Sequence, residues 1–276
     1  MNNELQEAAV FSGDDEQADY SLPYGDVSIR LFCSPNRGSN TEDAIAVVPF
    51  GKDGIVLAVA DGVGGSPGGR EAANLVLSSL VASLEAATEE EPQQAIMAAI
   101  EFANSKLMEL GRGSGTTVAI AEISNGFMRS YHVGDSEIAV VGQRGKIKHR
   151  VVPHSPTGFA VESGLLSEDQ AMHHDYRHVL LNVIGAAAMR VEVAAPLKLD
   201  ARDTVILASD GLLDNLYPGE IFEVARCGPL PNVSDELVAQ SKQRMANPDG
   251  RLPSKPDDFS LVLFRLKPPK GRKHKA

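Results

Sequence analysis

No apolar run in the 276-residue chain approaches the ~20 residues a helix needs to cross a bilayer, so no membrane-spanning helix is expected. Cysteine is nearly missing. Cys33 and Cys227 stand in neither metal-ligand nor redox spacing, which points to a reducing, cytoplasmic setting. Basic charge is also short: 26 Lys and Arg against 37 Asp and Glu leave a net charge of −11. A general nucleic-acid binder needs an excess of cations to neutralise phosphates, so that class is disfavoured. The acidic first twenty residues lack the basic and apolar regions of a signal peptide. No repeat of solenoid length is present.

What the chain does have is strand signal. VSIRLFC (27–33), AIAVVPF (44–50), GIVLAVA (54–60) and TTVAIAEI (116–123) precede a meander of GFMRSYHV, EIAVVG and KIKHR. TVILAS (204–209) and FSLVLFRL (259–266) come late. Short strands joined by turn residues, with few helices between them, predict antiparallel sheets. Apolar residues at helical spacing predict helices over 70–86 and 93–110, each with one stripe to lay on a sheet face. The expected fold is α+β, with helices packed outside a β-rich core. Residues 1–26 are expected to be a flexible acidic extension. The polar, His-containing stretch 153–190 is expected to form a flap, in which SEDQ (167–170) marks a capping box. The basic tail 267–276, KPPKGRKHKA, reads as solvated and disordered.

Residues 59–72, VADGVGGSPGGREA, place an aspartate at a strand end before five glycines. Three chemistries would use such a stretch. A serine elbow fails because the residue after Ser66 is Pro67, which has no N–H for an oxyanion hole. The signal for a nucleotide cradle is weak, because neither Lys-Ser/Thr nor an ordered Gly-x-Gly-x-x-Gly is present, although the helix N-terminus near Arg70 could attract an anion. A metal site needs further carboxylates. Asp135 (HVGDS), Asp210 (LASDGLLD) and Asp258 (KPDDFS) share the same strand-edge grammar as Asp61. Each alone reads as a turn or cap residue. Four together favour a shared oxygen site for Mg²⁺ or Mn²⁺.

VADGVGG, GSGTT, HVGDSEIAVV, LASDGLLDNL and PDDFSLVLF occur in an order and spacing that resembles the metal-dependent serine/threonine protein phosphatases of the protein phosphatase 2C type. The resemblance covers about residues 27–266. It implies two antiparallel sheets stacked as a sandwich, helix pairs outside (four layers, α/β/β/α), and two Mn²⁺ or Mg²⁺ ions at one end. By motif, Asp61 would bridge the metals and the Gly62 carbonyl would bind one of them. Asp210 and Asp258 would hold the other, and Asp135 with Asp210 a weaker third. Glu42 and Asp43 resemble the acidic pair that holds metal-bound waters, and Arg37 resembles the arginine that grips the substrate phosphate. The reaction implied is hydrolysis of phosphoserine or phosphothreonine on a protein by direct attack of a water bridging the metals.

The sequence departs from the family pattern in places. Thr41 stands between Asn40 and Glu42, which shifts the register of Arg37 and makes Arg30 a second candidate for the phosphate. Val63 occupies a position where many eukaryotic members carry histidine, and His154, His173 and His174 read as surface residues of the flap. The competing readings are a phosphatase of nucleotides or small phosphoesters, and a silent relative that binds phosphoproteins. The sequence leaves the oligomeric state open.

Overall fold

The computed structural model describes residues 5, 7–36, 39–63, 68–88, 92–248 and 252–267. The fold is α+β, two antiparallel sheets flanked by helices. One sheet contains β1 (Ala9–Phe11), β4 (Asp43–Phe50), β5 (Gly54–Asp61), β6 (Val118–Ser124) and β7 (Phe127–Val133), in that spatial order. The short β10 (Glu192–Val193) and β11 (Leu197–Lys198) both pair with β7. The second sheet runs β2 (Asp15–Ser21), β3 (Gly25–Phe32), β13 (Phe259–Leu266), β12 (Thr204–Ala208), β8 (Glu137–Val141) and β9 (Ile147–Arg150).

The central strands are apolar on both faces because both faces are covered. In β4, Ile45 and Val47 point into the inter-sheet core with Leu57, Ala121, Val140, Leu207 and Val262. The alternate residues Ala44, Ala46 and Val48 face α1 (Gly69–Ala86) and α2 (Pro92–Leu110). Their small side chains let helix and sheet approach closely. On the opposite side, Ile206, Ala208, Leu261 and Leu263 pack against α6 (Pro218–Ala225) and α7 (Leu230–Ala246). Period-two alternation therefore sends one set of residues to each of two cores.

The expectation of a flexible extension over 1–26 does not hold for β1 and β2. Val10 pairs with Ala46, and Ala18 with Ile29. Phe11, Ala18 and Tyr20 pack on the inter-sheet core, and Asp19 accepts hydrogen bonds from the buried Arg30 guanidinium. The segment 153–190 carries α3 (Pro156–Glu162) and α4 (Glu168–Met172), and the latter opens with the expected capping box of Ser167 and Gln170. Residues 268–276 of the basic tail lie outside the described residues. Among the described residues, no helix is long and apolar enough to cross a membrane.

Candidate active site

Antiparallel register sets Asp43, the first residue of β4, directly opposite Asp61, the last residue of β5. Directly opposed residues bring their Cβ atoms to about 4.5–5.5 Å, so two carboxylates share one end of the sandwich. Asp135 joins them from the turn after β7. Asp210 comes from the first residue of α5 (Asp210–Leu213), and Asp257 and Asp258 from the approach to β13. A cleft of about 310 Å³ is lined by Glu42, Asp61, Gly62, Asp135, Asp210, Asp257 and Asp258, with Lys255 and His178 beside them. Asp43 is almost fully buried, and among the described residues nothing hydrogen-bonds its Oδ2.

The GSGTT motif holds Asp61 in place. The Thr116 hydroxyl and the Thr117 N–H each donate to the Asp61 carbonyl at 2.8 Å, and the Asp61 N–H donates to Thr117 Oγ1. Thr117 Oγ1 and Ser136 Oγ lie 2.7 Å apart, which ties this strand end to the GDS turn carrying Asp135. Two glycines permit close backbone crossings. A Cβ on Gly62 would lie 2.4 Å from the Gly69 carbonyl at the start of α1, and one on Gly211 would lie 1.9 Å from the Asp258 carbonyl.

Crowding of like charge dominates the electrostatics. Burial pushes the Asp61 carboxyl well above its usual range, and the charges of Asp43, Asp210, Asp135 and Asp257 push it further. Burial raises Asp43 to about 7; the Ser209 hydroxyl opposes the shift and Asp258 adds to it. Asp135 rises to about 6 through burial and Asp214, against the lowering effect of Lys255. Asp210 is raised by burial and Asp214. Buried carboxylates left to repel one another destabilise a fold, and a divalent cation removes that repulsion. An all-oxygen donor set is the kind that Mg²⁺ and Mn²⁺ select. The orphaned Asp43 oxygen and the mutual repulsion fit such an ion.

Asp257 and Asp258 do different things. Asp258 Oδ1 accepts the Ser34 N–H and its Oδ2 accepts the Glu42 N–H, both at 2.7 Å. It thereby fastens the chain before β4 to the start of β13. Asp257 instead turns its Oδ2 to Lys255 Nζ at 2.8 Å. The same ammonium lies 2.6 Å from Asp210 Oδ2 and 2.9 Å from Asp214 Oδ2. Nothing in the sequence alone marks out Lys255, Asp214 or Asp257. The motifs containing them are legible, but nothing local says which way adjacent side chains turn.

The remaining expected residues are placed as follows. Glu42 lines the cleft. Arg37 lies outside the described residues. Arg30 is committed elsewhere: it donates to Asp19, Asp235 and the Ile29 carbonyl on the outer side of β3. His154, expected at the surface, is fully buried. Its Nδ1 accepts the Gly134 N–H, so Nε2 carries the ring proton and faces Glu192 Oε2 at 3.3 Å. Asn182 also bonds to it, and its ring stacks on His132 at 4.3 Å. It anchors the 153–190 segment to the turn next to Asp135. The histidine at the cleft is His178.

A family model described as "Protein phosphatase 2C" matches residues 35–243. The chain is 28% identical over 221 residues to protein phosphatase PhpP of Streptococcus pneumoniae, a span of 76% of this chain and 85% of that protein. It superposes on the Streptococcus agalactiae serine/threonine phosphatase with a TM-score of 0.75 at 25% identity, covering 88% of this chain and 100% of the other. The catalytic domain of the phosphatase PstP, solved with two manganese ions, shares the fold (TM-score 0.72, 19% identity, 89% of this chain and 99% of that one). The chain belongs to the protein phosphatase 2C family. It is a protein serine/threonine phosphatase, and its substrates are phosphoproteins.

Proposed function

We propose that Asp61, Asp210 and Asp257, with the Gly62 carbonyl and the acidic pair Glu42–Asp43, hold two Mn²⁺ or Mg²⁺ ions, and that Asp135 with Asp210 holds a weaker third. Asp257 replaces Asp258 in this set because both Asp258 oxygens accept backbone N–H groups, whereas Asp257 is among the charges that bear on Asp61. Once bound, the ions supply a water of lowered pKa and positive charge to offset that of the phosphoryl group.

The protein's own groups supply orientation and proton handling. Three hydrogen bonds hold the Asp61 backbone at the end of β5, which fixes the point from which its carboxylate enters the site. Asp43 Oδ2 has an open lone pair able to accept a proton or an O–H within the site. Arg37 is the residue proposed to grip two phosphate oxygens as a fork. A reducing cytoplasm is the proposed compartment, consistent with Cys33 and Cys227 forming no disulfide with each other.

The observation that carries this reading is the convergence of aspartates from both sheets on one cleft, with their acidities weakened by burial and mutual repulsion. Its test is initial-rate hydrolysis of a phosphothreonine peptide, p-nitrophenyl phosphate and a nucleotide, each with Mn²⁺ and with EDTA. The expected result is metal-dependent release of phosphate from the peptide, abolished by EDTA. Nucleotide turnover far above peptide turnover would shift the reading to a small-phosphoester enzyme.

A further inference from the structure

Resting on the dimetal reading above, we infer that Lys255 is a tethered counter-cation that competes with one of the two metal ions. Its ammonium lies 2.6 Å from Asp210 Oδ2, 2.8 Å from Asp257 Oδ2 and 2.9 Å from Asp214 Oδ2. Asp210 and Asp257 are two of the carboxylates assigned to metal. An ammonium and a divalent cation at these oxygens compete, because two cations within a few ångströms in a part-buried site repel strongly.

The backbone that carries this lysine is held in place. Its clamp is Asn215, which is fully buried. The Asn215 amide donates to the carbonyls of Lys255 (2.9 Å) and Gly211 (2.8 Å), and the Lys255 N–H donates to Asn215 Oδ1 at 2.9 Å. Asn215 lies one residue beyond Asp214, so the clamp joins the end of α5 to the segment that carries Lys255. The stem is then fixed at its root, with the charged end as its moving part. The two ends of the cleft therefore differ. At the Asp61–Asp43 end, among the described residues, no cation forms an ion pair with either carboxylate, and Asp43 Oδ2 has no donor. At the Asp210–Asp257 end a cation is already in place.

The consequence is unequal metal binding: one Mn²⁺ binds tightly at the Asp61 end, and the second must expel the lysine. When it does, the ammonium leaves the carboxylates and becomes solvent-accessible. The lysine thereby sets the metal concentration at which the enzyme becomes fully loaded, and it keeps the empty cleft from flying apart under its own charge.

Two experiments test this. Calorimetric titration of the full chain with MnCl₂ should resolve a tight and a weaker event, and Lys255→Met, which keeps the stem and removes the charge, should tighten the weaker one by at least about tenfold. Lys255→Arg should stay near wild type. The second experiment needs no variant. Acetylation of the wild-type protein by acetic anhydride, mapped by mass spectrometry, should modify Lys255 at least about threefold faster with Mn²⁺ than with EDTA. Equal Mn²⁺ affinities in wild type and Lys255→Met, or Lys255 reactivity unchanged by Mn²⁺, overturn the inference while leaving the metal reading standing. Absence of any Mn²⁺ binding by the wild type overturns both.

Discussion

Asp61→Asn is expected to lower Mn²⁺-dependent turnover of a phosphothreonine peptide by about a thousandfold or more, the scale on which loss of a central metal-holding group acts. The same substitution is expected to make the metal-free protein more stable. The two effects share one cause. Asn has the shape of Asp, and the Thr116 and Thr117 contacts that hold this residue go to its backbone, so they survive. Only the charge is lost. In the wild type that charge is part-buried at the cleft and is borne on by Asp43, Asp210, Asp135 and Asp257, which is why its acidity is weakened.

A carboxyl whose folded-state pKa is raised costs stability once the unfolded chain ionises. The cost is absent well below the ordinary aspartate value of 3.8, grows as pH rises through the interval between the unfolded and folded values, and is complete above the folded one. The variant should therefore match the wild type near pH 3 in EDTA and exceed it at pH 8 by about 1–3 kcal/mol. Denaturant unfolding at the two pH values measures this. An Asp61→Asn protein less stable than wild type at pH 8 would show that Asp61 acts through packing and not as a charge held for a metal.

The second large effect separates two neighbours. Asp258→Ala removes the acceptors of the Ser34 and Glu42 N–H groups, both bonded at 2.7 Å to an almost fully buried carboxylate. Leaving such donors unpaired is expected to cost about 2–4 kcal/mol of stability in total. Asp257→Ala removes a carboxylate that meets Lys255 and the cleft but fastens no distant backbone. Its stability should change by less than about 1 kcal/mol, while Mn²⁺ affinity falls at least about tenfold. Urea unfolding in EDTA and Mn²⁺ titration, run on both variants, give the two readouts. The reverse pattern would return Asp258 to the metal.

This neighbour pair also shows where reading the sequence stops. The long strands and both leading helices are legible, since an apolar run bounded by turn residues states its own length. β13 begins and ends where FSLVLFRL does. The acidic strand β2, DEQADYS, carries little apolar signal because it lies at a sheet edge, where one side is open. Helix α7 is hard to read from the sequence although Leu230, Val233 and Leu237 form a stripe, because buried Ser234 and Ser241 break its apolar character.

In the site, Asp61, Asp135 and Asp210 were legible from their strand-edge settings, which the backbone enforces. Asp257 and Asp258 sit together in one such setting. In extended chain a shift of one residue turns a side chain to the opposite face, so the motif fixes the place and not the member. Lys255 and His154 were illegible for another reason. What positions each lies far along the chain: Asn215, 40 residues from Lys255, clamps its backbone, and Asn182, 28 from His154, bonds its ring.

The metal assignment is tested most directly by a crystal grown with MnCl₂ and measured at the manganese absorption edge. Two anomalous peaks are expected in the cleft, held by Asp61, Asp210 and Asp257, with Asp258 still bonded to Ser34 and Glu42. A cleft without manganese, or peaks held by Asp258 with Asp257 turned away, would contradict that assignment.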